Sequence, residues 1–262
     1  MAESAGNLKY VDKGEINSFE ISEREEYQNN SFVTVGLNKN RDKNTIALLH
    51  FDESVTKDEC NNNWIQRNSP LLQSVSKFDY NSLYIPGNNN CIYSEDKILN
   101  TSTWTIECWA YPLGFPRSWN MPFSGGSNLN NESDRFFISF ISSKLGYGQG
   151  NGNSPTVAYT FTANTWYHIA FVVNNTALTI YINGSSVVAT TFVNPSTPRY
   201  VIIGENSQLN YWAFYGYISE FRVSNIARYT TNFVPPTKPY IIYSEDSTPK
   251  LSLLQSPMSV VI

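Results

Sequence analysis

Residues 164–191, NTWYHIAFVVNNTALTIYINGSSVVATT, decide the fold class because two turn signals divide them into short runs with strand-like alternation. The dipeptide Asn183-Gly184 lies between two such runs and favours a type I′ hairpin turn, in which both central residues have positive φ. Asn174-Asn175-Thr176 marks a similar turn one strand earlier. The pattern predicts an antiparallel meander with strands at 166–173, 177–182 and 185–191.

Strand patterns also occur on both sides of this meander, separated by turn-forming clusters rich in Gly, Asn and Ser. They lie at 46–51, 82–85, 104–111, 135–141, 156–161, 200–204 and 215–223. About ten strands at this spacing, without a long amphipathic helix, favour an all-β protein built as a two-sheet antiparallel β-sandwich.

The composition indicates a β-rich globular chain and argues against two classes of partner. Of the 262 residues, 41% are hydrophobic, 15% aromatic and 15% charged, which suits a chain with a sizeable core. The formal net charge is −4 and Lys and Arg form no cluster, so nucleic acid is not an expected partner. No run approaches the roughly 18 apolar residues that span a bilayer, and the N-terminus lacks an apolar signal core. We therefore expect a soluble chain made in the cytosol, without membrane insertion.

Three segments differ in character along the chain. Residues 1–44 are polar and irregular, which predicts an extended N-terminal arm. The recurring strands of residues 45–240 predict one sandwich domain. Residues 241–262 form a C-terminal tail with several apolar side chains, and such a tail usually packs on its own domain or on a partner.

The three cysteines, Cys60, Cys91 and Cys108, fit no metal-binding spacing and imply no disulfide framework. Cys108 alternates with apolar residues in the 104–111 run, which predicts a buried thiol that packs as a small hydrophobic group. The sequence leaves undecided whether Cys60 and Cys91 form a disulfide bridge.

Five motifs, taken in order, resemble a laminin-G-like domain of the concanavalin A-like lectin/glucanase superfamily. They are WTIECW at 104–109, NTWYHIA at 164–170, LTIYING at 178–184, Ile203-Gly204 and GYISEFRV at 216–223. The closing stretch ARYTTNF at 227–233, followed by PPT at 235–237, is similar to the version of this domain in tailed-bacteriophage virion proteins. The resemblance covers residues 45–240 and implies a concanavalin A-like jelly roll.

Glucanases of this superfamily place acidic residues at alternate positions of one strand, since retaining hydrolysis needs two carboxyl groups about 5–5.5 Å apart. Here Glu107 is the one acid of its strand, and Glu220 shares its predicted face with Ile218 and Arg222. Neither strand supplies a pair, so we assign no catalytic residue and interpret Glu220 and Arg222 as structural charges. The alternative, in which two strands bring Glu107 and Glu220 together, stays open.

The two histidines are interpreted as architectural. His168 alternates within the meander, which predicts a packed side chain, and His50 ends the first strand in a His-Phe-Asp pattern that the family often contains.

The resemblance also implies that a structural calcium ion is compatible with the domain, because the family binds this hard cation through loop aspartates and main-chain carbonyls. Relatives carry an acid where this chain has Ser219, so we assign no metal ligand and interpret the remaining loop acids as solvated charges. These loop acids are Asp52, Glu53, Asp58, Asp79 and Asp134.

Carbohydrate binding needs exposed aromatic faces for the C–H surfaces of a sugar, with amides or hydroxyls nearby for its hydroxyl groups. Loops supply this combination, and the predicted glycan-contacting residues are Trp119, Asn120, Tyr147, Tyr211 and Trp212. In the alternative interpretation, Trp119 and Trp212 cap the ends of the core or pack against a neighbouring subunit.

These observations lead to the expectation of a non-enzymatic virion structural protein, either a capsid decoration or a tail or baseplate component, that binds host-surface polysaccharide. Residues 1–44 and 241–262 would dock it to other virion proteins, in a homo-oligomer or multi-copy assembly. The alternatives are a dedicated receptor-binding lectin of a tail fibre and, less favoured, a glycan hydrolase, because this fold carries all of these functions.

Overall fold

The computed structural model describes residues 42–241 apart from 79, 88, 117, 130–133, 151–153, 193–197 and 210–211. Almost all of the predicted arm (1–44) and tail (241–262) therefore lies outside the described residues. The described part of the chain contains fifteen β-strands and no helix. No helix that could span a membrane is found within it.

The strands are named in chain order. They are β1 (Thr45–Leu49), β2 (Trp64–Arg67), β3 (Leu71–Gln73), β4 (Ser82–Pro86), β5 (Cys91–Ser94), β6 (Thr103–Pro112), β7 (Phe123–Gly126), β8 (Phe136–Ile141), β9 (Lys144–Gln149), β10 (Thr156–Thr160), β11 (Tyr167–Asn174), β12 (Ala177–Ile182), β13 (Ser185–Thr191), β14 (Tyr200–Ile203) and β15 (Tyr215–Ser224).

These strands form two antiparallel sheets, which confirms the predicted all-β sandwich. The eight-stranded sheet has the order β13-β12-β11-β6-β15-β4-β3, with β1 also paired to β15. The seven-stranded sheet has the order β10-β9-β8-β7-β14-β5-β2. Aromatic rings join the two sheets in the core: Trp104 of β6 lies 4.9 Å from Phe136 of β8, measured between ring centroids. Burial of such apolar area is the main favourable term that holds the sheets together.

The predicted meander is confirmed as β11, β12 and β13, within one residue of the predicted bounds. Asn183 and Gly184 have φ values of 49° and 78°, which is the left-handed conformation that a type I′ turn requires. The alternation of β6 is also confirmed, because Cys108 is fully buried in the core.

A β-bulge in β15 changes which side chains face the core. Ser219 pairs with Trp109 and Arg222 pairs with Glu107, so two residues of β15 stand opposite a single residue of β6. Glu220, the first residue of the bulge, has a φ of 55°, as expected where an extra residue enters a ladder. Ile218 therefore packs in the core, whereas Glu220 and Arg222 lie on the outer face. The prediction that all three share one face is wrong, because strict alternation does not allow for an inserted residue.

After β15, residues 225–240 run over the outer face of the eight-stranded sheet. Tyr229 and Phe233 stack on each other and pack against Tyr181 of β12, while Tyr240 packs on Leu48 of β1. This segment covers a sheet face that would otherwise expose apolar side chains.

All three cysteines are thiols, so the bridge between Cys60 and Cys91 that the sequence left open is not formed. Burial raises the pKa of Cys91 to about 12 and raises that of Cys108 as well, so both stay protonated.

Candidate functional site

Two of the predicted aromatic residues lie side by side on the outer side of the seven-stranded sheet. The ring centroids of Trp119 and Trp212 are 5.7 Å apart and the ring planes are tilted by 35°. Both side chains are half-buried, so part of each indole reaches solvent. The main chain of Trp212 also accepts a hydrogen bond from the N–H of Met121, at 3.0 Å. We call Trp119 and Trp212 the tryptophan platform.

The platform rests on a buried aromatic ring and an arginine. Phe137 of β8 stands edge-on to Trp119, with centroids 5.7 Å apart. The guanidinium of Arg135 lies 5.2 Å from the centre of the Phe137 ring and 5.4 Å from that of Trp212. Cation–π contacts at this range are favourable, particularly where water is partly excluded. The two indoles are therefore supported from beneath by Phe137 and Arg135.

Asn120 anchors the platform from behind. The residue is fully buried, its main-chain N–H donates to Ser139 Oγ at 3.2 Å, and its side-chain amide donates to the Phe140 carbonyl at 3.1 Å. The structure therefore corrects its predicted role as a sugar contact. Because its polar atoms serve β8, Asn120 fixes the position of Trp119 and does not reach the surface.

Glu205 anchors the other indole. Its carboxylate Oε1 accepts the main-chain N–H of Asn206 at 2.9 Å and that of Trp212 at 2.7 Å. The side chain is fully buried, and a buried carboxylate needs such donors. Sequence reasoning missed Glu205, Arg135 and Phe137. The alternation of 135 and 137 in the 135–141 run could have indicated a shared face, but nothing in the sequence links Glu205 to Trp212.

The other two predicted glycan-contacting residues do not join the platform. Tyr211 lies outside the described residues. Tyr147 belongs to β9 and pairs with Ile138 of β8, whose side chain is in the core, so Tyr147 faces inward and packs against the core. The prediction had placed Tyr147 in a Gly- and Asn-rich loop. The structure places it in a strand because the small residues Gly146 and Gly148 leave room on the opposite face for Ile141 and Phe137.

Glu107, the first of the two candidate catalytic carboxylates, is fully buried on the outer side of the eight-stranded sheet. Its Oε1 accepts hydrogen bonds from the Arg222 Nε and Nη2, at 2.9 and 2.7 Å. Its Oε2 accepts from the hydroxyls of Tyr229 and Tyr240, at 2.8 and 3.0 Å, and lies 3.2 Å from His168 Nε2. Burial alone raises the pKa of Glu107, but the charge of Arg222 and these hydrogen bonds lower it to about 2.

Glu220, the second carboxylate, has separate partners. His50 Nδ1 lies 2.9 Å from its Oε1 and 3.0 Å from its Oε2. The main-chain N–H of Tyr240 donates to Oε2 at 2.8 Å. Tyr240 thus bridges the two carboxylates, bonding Glu220 through its backbone and Glu107 through its hydroxyl. Both carboxylates are buried and accept hydrogen bonds from within the fold, and His168 is packed and fully buried, as predicted.

Comparison with known proteins agrees with this architecture. The laminin G-like family model described as "Concanavalin A-like lectin/glucanases superfamily" matches residues 86–231, more than half of the chain. The chain belongs to this superfamily. A search of curated protein sequences finds no match.

Solved structures with the same fold come from proteins of different kinds. Domain 4 of AbnA, a GH43 extracellular arabinanase from Geobacillus stearothermophilus in complex with arabinotriose, has 18% sequence identity and a TM-score of 0.55, covering 70% of this chain and 93% of that domain. Trypanosoma rangeli sialidase has 11% identity and a TM-score of 0.58, covering 71% of this chain and 31% of the sialidase. The binding domain of botulinum neurotoxin serotype D/C has 13% identity and a TM-score of 0.50, covering 71% of this chain and 50% of that domain. The chain thus corresponds to nearly all of the arabinanase domain but to smaller parts of the other two proteins.

The loop acids that the structure describes do not converge on a calcium site of the kind that the superfamily allows. Asp58 is buried and accepts hydrogen bonds from the N–H of Leu48 at 3.0 Å and from Trp64 Nε1 at 2.9 Å. Asp134 accepts the N–H of Ser127, and Asp79 lies outside the described residues. Among the described residues no three His, Cys, Asp or Glu side chains converge as metal ligands. The described acids therefore supply no cluster of carboxylate ligands for a calcium ion.

His50 makes stability depend on pH. Burial lowers its pKa, but the hydrogen bond and the charge of Glu220 outweigh this and raise the pKa above its usual value. A raised pKa means that the protonated pair stabilises the fold fully below about pH 6.5 and loses this contribution as pH rises through the folded-state pKa. We expect His50→Gln to be less stable than the wild type at pH 5.5, and the difference in unfolding free energy to shrink as pH rises to 8.5.

Urea unfolding at a series of pH values measures this difference. Lys144→Gln, which removes an exposed cation from β9, is the control and should show no such convergence. A difference for His50→Gln that stays constant or grows with pH would contradict the assignment.

Proposed function

We propose that this chain is a non-catalytic carbohydrate-binding module carried on the virion of a tailed bacteriophage. The observation that carries the proposal is the tryptophan platform. The two half-buried indoles have ring centroids 5.7 Å apart and are fixed from beneath, so the exposed part of each ring offers apolar surface of the kind that contacts the C–H face of a sugar.

A pre-arranged platform favours binding because little conformational entropy is lost when a ligand docks. Asn120, the neighbour of Trp119, is joined to β8 through its main-chain N–H and its side-chain amide. The main-chain N–H of Trp212 donates to the buried Glu205 carboxylate. The guanidinium of Arg135 lies 5.4 Å from the ring centre of Trp212 and helps to hold the indole in place. The arabinotriose complex of the structurally similar arabinanase domain supports a saccharide as the ligand class.

The state of the two carboxylates supports a module without catalytic activity. Glycoside hydrolysis needs a general acid with a raised pKa, whereas the pKa of Glu107 is lowered to about 2. Glu107 and Glu220 are 0% and 2% exposed, and Tyr240 covers both. A polysaccharide could reach neither carboxylate without displacing this segment.

The virion placement rests on the similarity of residues 227–233 and 235–237 to phage virion domains. Within this proposal the module is a capsid decoration or a tail or baseplate component, synthesised in the host cytoplasm. Residues 1–44 and 241–262 dock it to other virion proteins in multiple copies, and the platform faces host-surface polysaccharide. A dedicated receptor-binding lectin of a tail fibre is the alternative that the experiments below separate.

Substitution of the platform should weaken carbohydrate binding. Trp119→Ala and Trp212→Ala should each lower the affinity for the polysaccharide that the wild type binds by at least about tenfold, because ring-face contact is lost. Binding is measured on an array of bacterial surface polysaccharides and arabinan, followed by calorimetry. Trp166→Ala, which removes a half-buried tryptophan just before β11 of the other sheet, is the matched control and should bind normally. Equal affinities in all four proteins, or release of reducing ends from a bound polysaccharide, would contradict the proposal.

Removal of the terminal segments should prevent incorporation into particles. A variant that starts at Asp42 and ends at Ile241 keeps the ion pair between Asp42 and Arg228, at 2.5 Å, and should still bind polysaccharide. We expect it to be missing from purified virions when it is co-expressed with the full chain during infection, as measured by mass spectrometry of the particles. Incorporation at the level of the full chain would contradict the docking role, and restriction of the full chain to tail fibres would favour the receptor-binding alternative.

A further inference from the structure

A polar cleft lies where the edge of β15 changes partners. β4 pairs with Tyr215–Ile218 of this strand, and β1 pairs with it from Phe221 onward. Ser219 and Glu220, at the bulge, fall between the two pairing regions. The residues that follow β1 and the connection between β3 and β4 meet beside Ser219 and Glu220. They border an open cleft of about 540 Å³, within the size range of small-ligand sites.

The cleft is lined by five residues with hydrogen-bonding side chains: Asp52, Ser74, Ser76, Tyr80 and Asn81. Asp52 and Asn81 hold each other in place, since the Asn81 amide donates to the Asp52 main-chain carbonyl at 2.7 Å. The Asp52 carboxylate is oriented by the N–H of Glu53, which donates to Oδ1 at 2.8 Å. Within the described residues, the Asp52 Oδ2 and Asn81 Oδ1 accept no hydrogen bond, so two oriented acceptors remain for a ligand.

We propose that this cleft binds a neutral monosaccharide or the terminal residue of a neutral glycan. A carboxylate accepts hydrogen bonds from adjacent sugar hydroxyls, and the serine hydroxyls and the Asn81 amide can both donate and accept. The ring of Tyr80 is 41% exposed and supplies an apolar surface for sugar C–H groups. This set combines a charged acceptor, mixed donors and one aromatic ring, which suits a polyhydroxylated ring.

The charges around the cleft disfavour an anionic ligand. None of the five lining residues is cationic. The nearest lysines in sequence are engaged elsewhere: Lys57 forms an ion pair with Glu53 at 2.7 Å, and Lys77 lies 4.1 Å from the ring centre of Trp109. Asp52 and Glu59 add negative potential that raises the pKa of the nearby His50. The charge of a protonated His50 is already engaged by Glu220, 2.9 Å away, so a phosphate or a uronic acid would meet this field without an unpaired cation among the five lining residues.

The cleft and the tryptophan platform are separate sites. The cleft belongs to the end of β1 and the β3–β4 connection of the eight-stranded sheet, whereas the platform lies outside the seven-stranded sheet. The inference deepens the proposed function: it rests on that function for the class of ligand but not for the location. The proposals about the two sites can therefore be contradicted independently of each other.

The test uses the ¹⁵N-labelled full chain and NMR titration with four probes: methyl α-D-mannopyranoside, methyl β-D-galactopyranoside, methyl α-L-rhamnopyranoside and N-acetyl-D-glucosamine. At least one probe should shift the amide signals of the lining residues Asp52, Ser74, Ser76, Tyr80 and Asn81. Asp52→Asn should weaken that probe at least about tenfold, as expected when a charge-assisted hydrogen bond is lost. The substitution keeps an oxygen for the Glu53 N–H, so the loop should stay folded.

Two control variants make the outcome decisive. Asp96→Asn changes an exposed acid of another loop, Trp212→Ala removes half of the platform, and both should leave the cleft titration unchanged. The inference is overturned if no probe shifts these signals, if Asp52→Asn binds like the wild type, or if calcium chloride alone produces the shifts. Loss of polysaccharide binding in Trp212→Ala without any cleft titration would overturn the cleft and leave the platform intact. A cleft titration that Asp52→Asn weakens, together with unchanged polysaccharide binding in Trp212→Ala, would support the cleft and contradict the platform.

Discussion

The buried carboxylate of Glu107 is the group on which the arrangement of this domain depends. An ionised carboxylate with no solvent exposure is tolerated only when charged and hydrogen-bonding partners surround it. Arg222 supplies the charge from the neighbouring strand β15, and Tyr229 and Tyr240 supply hydroxyl donors from the segment that follows. Because these partners come from distant parts of the chain, satisfying one charge ties β6, β15 and residues 225–240 together. The raised pKa values of both tyrosines, caused by burial and by the charge of Glu107, keep their hydroxyls protonated as donors.

The outer faces of the two sheets differ in what covers them. The outer face of the eight-stranded sheet is closed by its own chain, since Tyr229, Phe233 and Tyr240 occupy it. The outer side of the seven-stranded sheet is instead crossed by the loops that carry Trp119 and Trp212. Buried polar groups anchor those loops as well. Asn120 and Glu205 hold them by hydrogen bonds, as Glu107 holds residues 225–240 on the other sheet. The surface exposed on this side is therefore determined by the loops that Asn120 and Glu205 anchor.

Much of the fold could be predicted from the sequence because it follows from local rules. The turn at Asn183-Gly184 needs only two residues that tolerate positive φ, and the burial of Cys108 follows from strand alternation. The bulge at Glu220 could not be predicted, because an inserted residue leaves no mark on composition. It reverses the face on which Ile218 lies relative to Glu220, and so it decided whether the acid belonged to the core side or to the outer side.

The candidate site was predictable only in part, for a similar reason. Exposed aromatic residues in loops indicated Trp119 and Trp212, but their proximity depends on long-range hydrogen bonds from Asn120 and Glu205. Tyr147 carried the same loop-like signal and lies in a strand facing the core. Composition shows which residues could bind a sugar, whereas tertiary pairing decides which of them meet.

The most direct test of this account is one variant, Glu107→Gln, measured for both unfolding free energy and polysaccharide affinity. The substitution leaves the largely buried Arg222 guanidinium, 11% exposed, without its counter-charge, so the unfolding free energy should fall by about 3–5 kcal/mol. Affinity measured well below the unfolding transition should match that of the wild type, because the platform lies on the other sheet. Unchanged stability together with lost polysaccharide binding would contradict the account, since it would place Glu107 at a ligand site and not at the structural centre of the fold.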